Sequence, residues 1–190
     1  GAVSKRIHFI DWNNPFNNIY ELAEEVKVQT MGGGHDSRRP DLVLYVNGIA
    51  LVVIELKKAS VSVNEGMRQN YRNQQDGNIP RFFTTIQLAM AGNQSEGLWY
   101  GTTCTSEKFY LRWKEPTGSL ADGVKQPGTF MDEPNELYRS VLQMIEPTRL
   151  LEFIHDLVIY DGGVKKLARP NQYFALKAAQ PRLLAGESGI

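Results

Sequence analysis

A chain of 190 residues, 42% hydrophobic and 22% charged, has an ordinary globular composition and room for one large core, with or without an appendage. Its 21 basic and 21 acidic residues cancel, which excludes a protein whose whole surface grips nucleic acid non-specifically but not a local basic track. No signal peptide and no apolar run able to span a bilayer can be recognised, so a soluble, cytoplasmic chain with no membrane partner is expected. Residues 5 to 10 alternate like a strand, and 11 to 18, with Pro15, read as a loop. Between 19 and 29 the apolar residues fit a helix (Ile19, Leu22, Ala23, Val26) and also a strand (Tyr20, Leu22, Val26, Val28). A strand is expected at least from Glu25 to Gln29, where Val-Lys-Val closes the run. The glycines at 32, 33 and 34, beside His35 and Asp36, read as a mobile turn, since no phosphate-loop pattern follows.

Residues 40 to 58 form the most informative stretch. Two apolar, β-rich runs meet at Asn47-Gly48, a strong hairpin signal. Both faces of the pair are apolar, so the sheet is covered on both sides, yet Asp41 opens the first run and Glu55 and Lys57 close the second. A tight two-residue turn would set Asp41 opposite Ile54 and send Glu55 and Lys57 to the other side. A three-residue loop with a bulge at Gly48 pairs Tyr45 with Ile49 and Asp41 with Val53 and places all three charges on one face. The bulge is therefore expected at Gly48, with Asp41 and Glu55 as diagonal neighbours about 7 to 8 Å apart. Two carboxylates there can share a cation at roughly 2.1 Å, and hard oxygen ligands favour Mg²⁺ or Mn²⁺ over zinc. Such a metal with an adjacent lysine suits phosphodiester hydrolysis. By strand parity Lys58 faces away. Glu21, Glu24 and Glu25 are the only nearby acids that could add a ligand, and solvated charge is the favoured reading of each.

Ser62 and Glu65 have the spacing of a capping box for a helix over about 63 to 76, stopped by Gly77. On it Arg68 and Arg72, and Gln69 and Asn73, lie one turn apart. Strands are expected near 86 to 91 and 98 to 103, with a turn at Gly92-Asn93. Phe109, Tyr110 and Trp113, interleaved with Lys108, Arg112 and Lys114, read either as a packed apolar face, which is favoured, or as a platform for stacking single-stranded DNA. Residues 117 to 133, rich in Gly, Pro and Asp, form a boundary, and helices follow over about 134 to 145 and 148 to 159 before a break at Gly162-Gly163. Cys104 is the single cysteine, which excludes an intrachain disulfide, and His8, His35 and His155 show no metal spacing.

The order Pro40-Asp41 and then Glu55-Leu56-Lys57 resembles the PD-(D/E)xK nuclease superfamily. The longer run from Arg39 to Gly48, with Val52 to Lys57, is similar to the nuclease domain of the restriction and translocation subunit of type I restriction enzymes. The resemblance implies an α/β, restriction-endonuclease-like mixed β-sheet flanked by helices. The nuclease core would cover 1–116, a loop 117–133, and a helical extension toward a motor domain 134–190. It implies an endonuclease acting on double-stranded DNA, with Asp41, Glu55 and the Leu56 carbonyl holding Mg²⁺ (Mn²⁺ as a substitute) and Lys57 completing the catalytic set. Gln69 matches the family's Gln-x-x-x-Tyr, where Asn73 replaces the tyrosine, and Arg68, Gln69, Arg72 and Asn73 would face DNA. The stretch from Lys165 to Ala175 resembles the entry to the family's motor, with Gln172 at the position that reads the adenine of ATP. No Gly-x-x-x-x-Gly-Lys-Ser/Thr occurs, so ATP is expected to act only through motor domains beyond this chain, an amino-terminal piece of a longer subunit. The helix that precedes the first strand in the family has no counterpart between Gly1 and Asp11 and is expected upstream. Modification and specificity subunits are the implied partners. The rival readings are a stand-alone nuclease of the same superfamily, resolvase-like or exonuclease-like, and an inert DNA-binding or assembly module.

Overall fold

The structure, a computed structural model, describes residues 7–32, 36–115 and 135–186. Along the chain come β1 (Tyr20–Glu24), a short ribbon of β2 (Val28–Gln29) and β3 (Ser37–Arg38), the hairpin of β4 (Leu42–Val46) and β5 (Ile49–Leu56), and helix α1 (Asn64–Asn73). Then follow β6 (Leu88–Asn93), β7 (Gly97–Gly101), β8 (Leu111–Arg112), helices α2 (Glu136–Ile145) and α3 (Pro147–Asp156), a hairpin of β9 (Val158–Asp161) and β10 (Val164–Leu167), and α4 (Pro170–Leu184). Six strands form one mixed sheet in the order β1-β4-β5-β6-β7-β8, antiparallel throughout except for the parallel pair β5–β6, which α1 connects. No described helix is long and apolar enough to cross a membrane.

Helices cover both faces, so the strands read as near-continuous apolar runs. On one face Leu44, Val52, Ile54, Met90 and Tyr100 pack with Trp113 and with residues of α2, α3 and α4. On the other, Val43, Val53 and Ala89 meet Ile79, Phe83 and Ile86, while Met67 of α1 packs with Ala91 and Tyr110. The stretch expected as a helical extension thus lies against the sheet in a shared core. It is also not wholly helical, because β9 and β10 turn at Gly162 and Gly163, both with positive φ, where α3 has already ended.

The central hairpin departs from expectation in a useful way. Its turn is the tight two-residue one, with Val46 opposite Ile49 and with φ of 51° at Asn47 and 77° at Gly48. The Asn47 side chain holds that conformation by accepting from the Ile19 backbone N–H at 2.8 Å and donating to the Phe9 carbonyl at 2.8 Å. The bulge occurs further along, since Tyr45 pairs with Ala50 but Leu44 pairs with Val52, which leaves Leu51 extra. Leu51 and Val52 consequently both enter the larger core while Ala50 and Val53 pack on the other face with Ile79, Phe83 and Ile86. Beyond the bulge Leu42 lies opposite Ile54, and the same register carries Asp41 opposite Glu55 rather than Val53.

Other boundaries shift for local reasons. Residues 7–10 form no strand. The edge strand is β1, paired from Tyr20–Val46 to Glu24–Leu42, and it ends at Glu25, whose φ is 48° and whose N–H bonds to the Asp41 carbonyl. Of the strand expected from Glu25 to Gln29, only Val28–Gln29 is extended. Helix α1 starts at Asn64 without a reciprocal capping box: Ser62 Oγ accepts from the Asn64 N–H at 3.3 Å, and Glu65 turns to Arg68. Gly92 and Asn93 belong to β6 rather than to a turn, and the Asn93 side chain shapes the bend that follows by accepting from the N–H groups of Ser95 and Glu96. Tyr110 and Trp113 are buried, whereas Phe109 is 65% exposed with the Lys108 ammonium over its ring. The boundary segment 117 to 133 lies outside the described residues.

Candidate active site

Asp41 precedes β4, Glu55 and Leu56 end β5, and Lys57 follows directly. The parity that places Val43 and Val53 on the α1 face places Asp41, Glu55 and Lys57 there too. Lys57 Nζ lies 4.0 Å from Asp41 Oδ2 and 3.8 Å from Glu55 Oε2, so the three side chains meet on one face, through a register other than the expected one. The Asp41 carboxylate is fixed from its own side of the sheet by the Leu56 N–H, which donates to Oδ2 at 2.7 Å.

Helix α1 completes the arrangement. Gly66 lets it approach closely, because a Cβ there would stand 3.0 Å from Ala91 Cβ and 3.4 Å from Glu55 Cβ. One turn later Gln69 bridges the cluster: its Nε2 donates to Glu55 Oε2 at 2.6 Å and its Oε1 accepts from Lys57 Nζ at 2.8 Å. Glu55 is fully buried, and among the described residues no donor is placed to bond its second oxygen, Oε1. Burial, and then the neighbouring Asp41 carboxylate, push its pKa up to about 8 against the opposing pull of Lys57 and Gln69. A buried carboxylate with one orphan oxygen beside a second carboxylate is a site short of positive charge.

The remaining expected site residues separate. Arg72 and Asn73 line, with Gln69, a groove beside the carboxylates. Arg68 does not: its guanidinium is held by Glu107 at 2.6 Å and Glu65 at 2.7 Å. Gln172 caps α4, its side-chain oxygen accepting from the Arg169 N–H at 2.8 Å. Glu21, Glu24 and Glu25 are exposed, and among the described residues no group of three or more His, Cys, Asp or Glu side chains is placed to hold a metal. Arg38 and Asn78 also line the groove. The sequence offers Arg38 only as one of several basic residues clustered about the hairpin and gives no sign of Asn78, because the two lie 40 positions apart and only folding joins them through the 2.9 Å bond from Arg38 Nε to Asn78 Oδ1.

Residues 1–108 match the family model described as type I restriction enzyme R protein N terminus. The chain belongs to this family. Similar proteins include the Methanocaldococcus jannaschii chain that carries the provisional name type I restriction enzyme MjaVIIIP endonuclease subunit, 28% identical over 96% of this chain and 17% of that protein. The Escherichia coli type I restriction enzyme EcoprrI endonuclease subunit is 25% identical over 64% of this chain and 39% of its own length. The Haemophilus influenzae HindI endonuclease subunit is 24% identical over 91% and 16%. This type I R-protein N terminus therefore spans well under half the length of these relatives. Within it, Asp41, Glu55, Leu56, Lys57 and Gln69 all fall inside the segment that defines the family.

Proposed function

We propose that this domain is the metal-dependent nuclease of a type I restriction-modification complex, hydrolysing phosphodiester bonds of double-stranded DNA. The observation that carries the reading is the convergence of Asp41 Oδ2 and Glu55 Oε2 on one sheet face, each within 4.0 Å of Lys57 Nζ, with no donor to the buried Glu55 Oε1 among the described residues. The endonuclease names of the relatives point the same way.

The donor set fits a hard divalent cation. Asp41 and Glu55 would hold Mg²⁺ or Mn²⁺. The Leu56 carbonyl would join them, because an extended residue turns its N–H and C=O to the same edge and the Leu56 N–H faces Asp41. Bound there, the ion supplies Lewis acidity toward a phosphoryl oxygen and lowers the pKa of an attacking water. The chain's own groups do the rest. Lys57, held by Gln69, places a fixed positive charge where negative charge grows on the phosphate and orients the attacking water. Gln69 also fixes which Glu55 oxygen remains free. Burial raises the Glu55 pKa to about 8, so a cation bound there would compete with a proton for its carboxyl group. ATP-driven translocation would belong to motor domains elsewhere in the polypeptide, and site recognition to the specificity subunit beside the modification subunit.

Cleavage by the assembled enzyme, compared between wild type and Lys57→Ala, tests this. Loss of a group that stabilises transition-state charge is expected to slow Mg²⁺-dependent cleavage about a hundredfold or more. Cleavage at the wild-type rate would refute the assignment. A Mn²⁺ titration of this chain, with and without Asp41→Asn, reports the cation site independently of turnover; the substitution is expected to weaken binding.

A further inference from the structure

The groove next to the carboxylates has a volume of about 460 Å³ and is lined by Arg38, Gln69, Arg72, Asn73, Gln75 and Asn78. Two guanidiniums and four amides make up that wall, and no acid is among them. Elsewhere in the described structure Arg68, Arg112 and Arg149 each have a glutamate partner. Among the described residues neither Arg38 nor Arg72 forms an ion pair, although both lie in one concave surface. Arg38 is also oriented: its Nε donates to Asn78 Oδ1 at 2.9 Å and its Nη1 to the Ser37 carbonyl at 3.3 Å, which fixes the plane of the guanidinium. Arg72 is exposed on the last turn of α1.

Two like charges facing one groove without a counter-ion destabilise each other, and an anion that enters relieves this. Amides beside them suit a ligand carrying both donors and acceptors, as a sugar-phosphate backbone with its base edges does. Gln69 connects the two regions, because it lines the groove and also bonds to Glu55 and Lys57.

We infer that the groove between the β2–β3 ribbon and the end of α1 seats the backbone of the DNA strand adjoining the scissile phosphate, with Arg38 and Arg72 as its phosphate ligands. This deepens the nuclease reading and rests on it for the position of the reacting phosphate. Arg68, tied to two glutamates, is not part of the track.

Binding of this chain to a short fluorescent DNA duplex in EDTA, across a salt series, tests the inference without cleavage. Each arginine that neutralises a phosphate contributes about 0.9 to the log–log salt slope, so Arg38→Gln and Arg72→Gln are each expected to lower it by about one. The double variant is expected to bind about tenfold or more weakly at moderate salt, and Arg182→Gln, on α4 at the opposite face, to bind as wild type. Arg38→Lys with Arg72→Lys keeps the charge and is expected to keep most of the slope, whereas a purely structural role for Arg38 through Asn78 would lose binding with either replacement. If the double variant fails to fold, Arg72→Gln alone decides.

Wild-type affinity and slope in Arg72→Gln and in the folded double variant would overturn the proposal. So would arginine-dependent binding of inorganic phosphate with no competition from duplex, which would mark a small-anion site. If Asp41→Asn leaves Mn²⁺ binding unchanged while arginine-dependent duplex binding stands, the nuclease reading falls and the groove survives. The reverse result removes only the groove.

Discussion

On one face of the sheet Trp113, Phe153, Tyr173 and Phe174 pack ring against ring with Tyr100, with centroids 5.2 to 6.4 Å apart, and the buried Arg149 lies over two of those rings with Glu115 as its ion partner. Among the described residues the other face is covered by a helix, a 3₁₀ turn and a two-stranded ribbon, and the buried carboxyl group there, Glu55, has an oxygen with no donor beside it. Both faces bury an ionisable group in the same sheet, yet Arg149 has an acid of its own in Glu115, whereas Glu55 shares the single ammonium of Lys57 with a second carboxylate, Asp41. A buried charge with an in-chain partner contributes to the architecture, whereas one left incomplete in a thinly covered layer marks where a ligand belongs.

The contrast can be broken most forcefully on the thick side. Phe153→Ala removes a fully buried ring surrounded by three others, and is expected to cost about 3–5 kcal/mol in urea unfolding while leaving the Mn²⁺ affinity of the folded fraction unchanged. A comparable loss of Mn²⁺ affinity would show that the two faces are not independent.

On the thin side the expected effect follows from Glu55. Its carboxyl titrates at about 8 when folded against an ordinary value of 4.5, so the folded state binds the proton more tightly than the unfolded chain. The contribution of this group to stability is whole below about pH 4.5 and declines as pH rises toward 8, by up to about 1.4 kcal/mol per pH unit. Urea unfolding of the metal-free protein between pH 5 and pH 8 is expected to show that decline in the wild type and a flatter profile in Glu55→Gln. Equal slopes would mean that Glu55 is charged in the folded state at neutral pH.

The smallest expected effect sharpens the role of α1. Gly66→Ala crowds Ala91, at about 1–3 kcal/mol for overpacking, against about 1 kcal/mol gained in helix propensity. A net loss of about 1 kcal/mol is expected, together with weaker Mn²⁺ binding as Gln69 is displaced from Glu55. A more stable variant with unchanged Mn²⁺ affinity would show that the helix does not need its close approach.

Much of this organisation is legible in local sequence, because it depends on short-range pattern. The apolar runs around Asn47-Gly48 specify a hairpin buried on both faces, and the charges at its open end mark where that burial is interrupted. A proline near each start and leucine and isoleucine at helical spacing place α2 and α3 to within a few residues. The departures from local pattern share a physical cause. The bulge at Leu51 turns two consecutive residues, Leu51 and Val52, into a core built from distant segments, and the tight turn depends on Asn47 bonding to Phe9 and Ile19, which are remote in sequence. The β9–β10 hairpin is hidden in the sequence because its strands are short and lie largely exposed.

The sequence by itself determined the central hairpin and the presence of Asp41, Glu55 and Lys57 at its open end, since apolar patterning and turn chemistry act over a few residues, while the mixed sheet around it was legible only through the family resemblance. Tertiary structure alone decided that Asp41 lies across from Glu55, that Gln69 ties Glu55 to Lys57, and that among the described residues Arg38 has no acid partner while Arg68 has two. Those outcomes depend on register and on contacts between distant segments, where a shift of one residue reverses the face on which a side chain stands.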